Sequence, residues 1–174
     1  MNMASIVTIV GSPSEPSRTA LLVDYLAGQL ELQGHSLTRI VVRDLPAQEL
    51  LHGRLSEPTV AAAVSAAERA DGVIVATPVY KASFCGVLKV FLDLLPQQAF
   101  RGKVVQPLGT AGSAAHTLAI DYALRTVLVA LGAEHILSSY VDVTGPSTGP
   151  ELPVQTTEKL DGMARRFDRS LRGP

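Results

Sequence analysis

One cysteine, few charges, no basic run and no long apolar stretch set the first limits on this chain. Cys85 stands alone among 174 residues, so an internal disulfide is excluded and a reducing cytoplasm is the expected compartment. Charged side chains make up 18% of the sequence, against about 25% in ordinary soluble domains. That shortage leaves little charge to cover a monomer's surface and points to self-association. Lys and Arg number 15 against 16 Asp and Glu. Without a basic excess, a nucleic-acid-binding surface is not expected. No stretch reaches the roughly 18 uninterrupted apolar residues of a membrane span. Met1 to Val10 lacks the basic n-region of a signal peptide. Repeats, low-complexity tracts and charge blocks are missing as well.

What is present is a hydrophobic fraction of 47%, which excludes intrinsic disorder, and a length that suits one compact domain over residues 1–174. Short β-branched runs alternate with longer helical segments. Ile6–Val10, Leu37–Val42, Val73–Ala76, Val104–Leu108 and Ile136–Val143 read as strands buried on both faces. Between them, Arg18–Leu32 has apolar positions at Leu22, Leu26 and Leu30, with Gly34 placed to stop it. Ser56-Glu57-Pro58 opens a second helix, whose stripe is Val60, Ala63, Val64 and Ala67. Ser83 is placed to cap a third that Pro96 ends, a fourth runs from Ser113 to Leu131, and the last carries Leu160, Met163, Phe167 and Leu171 on one face. Five β-α units of this kind predict an α/β fold: a doubly wound, five-stranded parallel sheet with helices on both faces.

The third and fourth helices depart from the usual pattern. Phe84–Leu95 is apolar nearly all round, its only charges being Lys89 and Asp93, and the fourth helix has a polar stripe no wider than Thr117, Asp121 and Arg125. A helix apolar on most sides must be buried on most sides. One side faces the sheet, so the other is expected to face a second subunit.

In open α/β sheets the ligand lies beyond the carboxyl ends of the strands, which directs attention to three loops. Gly11–Thr19 sets four serine and threonine hydroxyls (Ser12, Ser14, Ser17 and Thr19) and the Arg18 guanidinium at a helix N-terminus, where unpaired N–H groups and the helix dipole favour an anion. No Gly-Lys-Ser/Thr follows Gly11 and no partner glycines accompany it, so neither a Walker loop nor a dinucleotide fingerprint is present. A phosphate monoester is the best guest, and an ordinary capped turn the alternative. Thr77–Phe84 offers a backbone edge and the Tyr80 ring, with Lys81 beside it. Gly109–Ser113 is small enough for backbone to approach a planar ligand.

Other chemistries fail at named residues. A phosphatase loop on Cys85 needs Arg where Phe91 stands, and a receiver domain needs carboxylates where Gly11-Ser12 and Thr77-Pro78 stand. The nucleophile elbow around Ser113 is broken at Ala111 and Ala115. His35, His52, His116 and His135 show no metal-ligand spacing with the lone cysteine.

Four ordered motifs carry a family resemblance. Gly-Ser-Pro-x-x-Pro-Ser-Arg at Gly11–Arg18, Ala-Thr-Pro-Val-Tyr-Lys at Ala76–Lys81, Gly86-x-Leu88-Lys89 leading to Leu92-Asp93-Leu94-Leu95-Pro96, and His116-x-Leu118-Ala119-x-Asp121-Tyr122-Ala123-Leu124 resemble the NADPH-dependent FMN reductases of the flavodoxin-like superfold. The likeness is greatest to the SsuE type, which supplies reduced flavin to an alkanesulfonate monooxygenase. It runs from about residue 5 to about residue 140 and weakens after Val143.

The resemblance implies that Ser12, Ser17, Arg18 and Thr19 hold the FMN phosphate. Pro78, Val79, Tyr80 and Lys81 would border the isoalloxazine, and Gly109, Thr110, Ala111 and Gly112 would close its other edge. Ser14 stands where the family often has Arg, which implies weaker flavin binding. It further implies a homotetramer built through residues 84–95 and 113–131, with Tyr122 at a π-helical irregularity stacking near the flavin across that interface. No catalytic acid, base or metal ion is expected: NADPH would reduce FMN, and reduced FMN would leave for a flavin-dependent monooxygenase in organosulfonate sulfur assimilation. Two other readings stay open, a flavin-bound reductase of quinones, azo dyes or metals and a non-catalytic electron carrier.

Overall fold

The computed structural model describes residues 3–143 and 151–173, without the side chain of Ala114. The strands are β1 (Ser5–Val10), β2 (Ser36–Val41), β3 (Gly72–Tyr80), β4 (Ser83–Phe84), β5 (Val104–Thr110), β6 (His135–Ile136) and β7 (Tyr140–Asp142). The α-helices are α1 (Arg18–Leu32), α2 (Ala47–His52), α3 (Pro58–Arg69), α4 (Gly86–Leu92), α5 (Arg125–Ala130) and α6 (Val154–Leu171). The parallel strands lie in the order β2-β1-β3-β5, with β6 and β7 both pairing with β5 along the far edge. Counting that edge as one strand, the order is 2-1-3-4-5, the flavodoxin-like arrangement, whose chain reverses direction of winding between the first and third strands.

Alternation along each strand divides the core in two. Val7, Ile9, Val73 and Val75 face α3, α4 and the segment leading into α5, whereas Ile6, Val10, Ile74 and Ala76 face α1 and α6. The last helix buries Leu160, Met163, Ala164 and Phe167 against this second face, with Leu171 partly covered. Helix α1 is capped by the Ser17 hydroxyl, which accepts from Ala20 N–H at 3.2 Å, and Gly34 follows it at φ +90°. Helix α3 starts with Pro58 in its first turn and the Glu57 carboxylate accepting from Val60 N–H at 2.7 Å.

The elements depart from sequence expectation in four places. Strand β3 runs on through Thr77 to Tyr80 and folds back onto β4, so Ser83 pairs with Tyr80 and caps no helix. The Thr77 hydroxyl accepts from Cys85 N–H at 2.9 Å and donates to the Pro78 carbonyl at 2.9 Å, which pins the hairpin where the helix was expected to begin; α4 starts at Gly86 instead. Residues 113–131 form a 3₁₀ turn at Ala114–His116, a π-helical segment at Ala119–Leu124 and then α5. The last strand is split because the buried Gln106 side chain donates to the Ser138 carbonyl at 2.9 Å. Helix α2 has no counterpart in the sequence reading.

Two residues fix how the strands meet their surroundings. A Cβ on Gly11 would lie 2.3 Å from Leu88 Cβ and 2.9 Å from Leu88 Cα, so α4 packs directly on the end of β1. Gly11→Ala forces that helix away, and a loss of about 1–3 kcal/mol is expected from overpacking; an unchanged urea midpoint would contradict this close approach. At the other end of β1, Asp71 Oδ2 accepts from Ser5 N–H at 2.8 Å and Ser5 Oγ at 2.9 Å. The Ser5 backbone bond holds the Asp71 carboxyl below its ordinary value, opposed by burial and reinforced by the Ser5 hydroxyl and Lys103. A depressed carboxyl stabilises the fold fully above its ordinary pKa and loses that contribution as pH falls through the folded value. Asp71→Asn should therefore flatten the acid limb of a stability-pH curve; an unaltered limb would show that the clamp carries no linkage.

Candidate functional site

The switch point between β1 and β3 opens at the carboxyl ends of the strands, and the three expected loops converge there. A cleft of about 360 Å³ is lined by Ser12, Ser14, Pro16, Ser17, Arg18 and Thr19 from the first loop, Pro78, Val79 and Tyr80 from the end of β3, Thr110, Ala111 and Gly112 from the end of β5, and Asp142. A cleft of about 480 Å³ at the opposite end of the sheet, lined in part by Asp71, Lys103 and His135, lies at the strand amino ends and is disfavoured by the same rule.

The first loop gathers the donors that an anion would need. Ser12 Oγ accepts from Ser14 N–H at 3.4 Å, and the Ser14 hydroxyl lies 3.4 Å from the Tyr80 hydroxyl across the cleft. Thr19 and Thr110 hydroxyls meet at 2.8 Å in a buried contact that ties the first loop to the third. Arg18 opens α1, and its Nε donates to Asp142 Oδ2 at 2.6 Å. From below, the Arg43 guanidinium donates to the Ser14 carbonyl and faces Glu15 at 3.4 Å and Asp44 at 3.4 Å.

The second wall is apolar at its base. Pro78 and Val79 are buried, and Tyr80 is half exposed at the lip. The hairpin beyond it turns through Lys81 at φ +51° and Ala82 at φ +59°. Two consecutive non-glycine residues in the left-handed region are strained, and strain of this kind concentrates at ligand clamps. On the third side, Ala111 N–H donates to the Asp142 carbonyl at 2.9 Å.

Ten of the thirteen residues named from sequence thus line one cleft: Ser12, Ser17, Arg18, Thr19, Pro78, Val79, Tyr80, Thr110, Ala111 and Gly112. Lys81 lies at the hairpin tip outside it. Gly109 is turned the other way; a Cβ there would meet Ile120 at 3.0 Å and Val141 at 3.1 Å, so this glycine lets β5 approach the π-helical segment. Tyr122 sits on that segment, as the resemblance implied, is 74% exposed and does not line the cleft.

Sequence reading missed Asp142 and Arg43. Asp142 is wholly buried on the carboxylate side, and its Oδ1 accepts from the Tyr140 hydroxyl and the Thr156 hydroxyl, each at 3.3 Å. Burial first, and the Asp142 charge second, push the Tyr140 phenol up. The signal for Asp142 was a lone acid at the carboxyl end of the last strand; for Arg43, at the end of β2 across from the first loop, sequence offered none.

The donor set fits a flavin mononucleotide. Hydroxyls and a helix N-terminus face the place for a phosphate, and a buried Pro-Val edge with a small-residue loop opposite suits a planar ring. A match to the family model described as NADPH-dependent FMN reductase spans residues 4–145. Over 132 residues the chain is 48% identical to an FMN reductase (NADPH) of Pseudomonas putida, covering 76% of this chain and 67% of that protein. Identity to the FMN reductase (NADPH) of Escherichia coli is 44% over 132 residues, 76% of this chain and 69% of the relative. The solved apo form of an NADH:FMN oxidoreductase, EMOB, superposes with a TM-score of 0.91 at 42% identity, covering 99% of this chain and 92% of that one. With ordered motifs, sheet order and cleft in agreement, the chain belongs to the NADPH-dependent FMN reductase family.

Proposed function

We propose that this chain reduces FMN with NADPH and releases the reduced flavin to a separate flavin-dependent monooxygenase, in the assimilation of sulfur from organosulfonates. One observation carries the reductase chemistry: among the described residues, the charged side chains lining the cleft are Arg18 and Asp142, and they are paired with each other. Apart from the Tyr80 hydroxyl at the lip, the described lining adds no further titratable side chain. A site so arranged suits hydride transfer between two bound rings, which asks the protein for position and dryness rather than proton transfer.

The roles of the chain's residues follow from where they sit. Ser12, Ser17 and Thr19, with the first-turn N–H groups of α1 and Arg18, bind the phosphate. Pro78, Val79 and Tyr80 hold one edge of the ring and keep water from it; Thr110, Ala111 and Gly112 present backbone along the other. Lys81 extends this border at the hairpin tip. Hydride acceptance at N5 from the nicotinamide C4 is the chemistry a bound flavin supplies.

The rest of the proposal concerns assembly. Leu118, Tyr122 and Val129 are 60%, 74% and 57% exposed along the π-helical segment and α5, an apolar face that fits a subunit interface. Helix α4 adds less than its composition suggested, since Leu88, Phe91 and Leu92 are buried within the chain and Lys89 pairs with Asp93 at 2.6 Å on the surface. We read the assembly as a homotetramer in which Tyr122 stacks near a neighbouring flavin. The buried, unpaired Cys85 suits a cytoplasmic enzyme.

Transient flavin use separates this reading from a flavin-bound quinone or azo reductase. The purified chain is expected to be nearly colourless after gel filtration and to show FMN saturation kinetics without a ping-pong pattern. A stoichiometric yellow flavin and ping-pong kinetics with quinone would overturn the release step.

A further inference from the structure

We propose that Asp142 is a brake on flavin affinity: held in the cleft against Arg18, it offsets the guanidinium's charge, so FMN is bound loosely enough to be released. The proposal rests on the reading that the FMN phosphate occupies the first-loop cleft. A phosphate monoester carries about −1.5 to −2 charges at neutral pH, so an uncompensated cation beside it would strengthen its binding. The cation in this cleft is compensated instead.

Asp142 lines the same cleft as Ser12, Ser17 and Thr19. Its side chain is 0% exposed and that of Arg18 is 15% exposed, so their interaction is poorly screened by solvent. The carboxylate is held from behind by Tyr140 and Thr156 hydroxyls at 3.3 Å, and the Asp142 backbone is tied to the third loop by its carbonyl accepting from Ala111 N–H. The second cation near the loop, Arg43, faces the exposed carboxylates of Glu15 and Asp44 at 3.4 Å, a weaker and more screened offset. A cradle of hydroxyls and backbone N–H groups remains, selective for phosphate in shape yet close to neutral in charge. For an enzyme whose product is a reduced flavin that must depart, loose binding keeps release from limiting turnover.

The test compares FMN with riboflavin, which has the same ring and no phosphate, by quenching of flavin fluorescence in three proteins. Asp142→Asn keeps the shape and removes the charge. Its FMN Kd should fall on the order of tenfold, the scale of one charge at close range, with the riboflavin Kd unchanged. Ser17→Gly, which retains most of the helix-capping preference, should lower FMN preference over riboflavin. If Ser17→Gly lowers that preference but Asp142→Asn leaves it equal or smaller, the brake is overturned and the phosphate placement stands. If neither variant moves it, the phosphate binds elsewhere and both statements fall. Should Asp142→Asn not fold, the salt dependence of the wild-type FMN Kd decides: a shallow slope agrees with a near-neutral cradle, and a steep one overturns it.

Discussion

Arg18→Ala is expected to cost about 3–5 kcal/mol of stability, because it takes the cation from a buried ion pair and leaves the other charge buried. Asp142 is that other charge, with its carboxylate closed to solvent. The same change removes a donor from the phosphate cradle, so FMN affinity should drop while riboflavin affinity in the folded fraction holds. Urea denaturation separates the two effects. Adding Asp142→Asn to Arg18→Ala should restore most of the lost stability, since the buried carboxylate charge goes with its cation, and should recover part of the FMN preference, since the charge opposing the phosphate is removed as well. A single variant within about 1 kcal/mol of wild type, the range of an exposed pair, would show that Arg18 and Asp142 are not a buried pair in solution.

The second large effect is on assembly. Leu118→Lys combined with Val129→Lys places two charges on the exposed apolar face of residues 118–129, outside the cleft. Light scattering should show the wild type as a tetramer and this variant as a folded monomer with reduced FMN turnover, if the proposed interface completes the site through Tyr122. Tyr122→Ala should instead leave the assembly intact and change flavin retention. A wild-type protein that is monomeric at all concentrations would remove the interface from the account.

Much of the fold was legible because its signals are local and strong. The β-branched runs at residues 6–10 and 73–76 and the stripe of Leu22, Leu26 and Leu30 leave few arrangements open. Boundaries were less legible where tertiary bonds decide them. The Thr77 hydroxyl diverts Ser83 and Phe84 into a hairpin, and Gln106 breaks the last strand from the neighbouring one; neither bond is visible to periodicity. The phosphate loop could be read because hydroxyls before a helix carry their chemistry in sequence order. For Asp142 sequence offered its place at a strand end but not its pairing, since its partner lies 124 positions away and only the fold brings the two together. Gly109 misled for a related reason: a small residue at a strand end serves ligand approach and helix packing equally well, and here it admits Ile120 and Val141. The low charge of residues 84–95 has two parts: Leu88, Phe91 and Leu92 pack within the chain, whereas Val87, Val90 and Leu94 stay partly exposed.

The central claim is that this chain passes hydride from NADPH to FMN without a partner reductase. The direct measurement is the loss of reduced-nicotinamide absorbance on mixing the purified chain with NADPH, with and without added FMN, repeated with NADH to fix the donor. The account predicts NADPH consumption that depends on added FMN and saturates with it. NADPH loss that is absent, or indifferent to FMN, would contradict it.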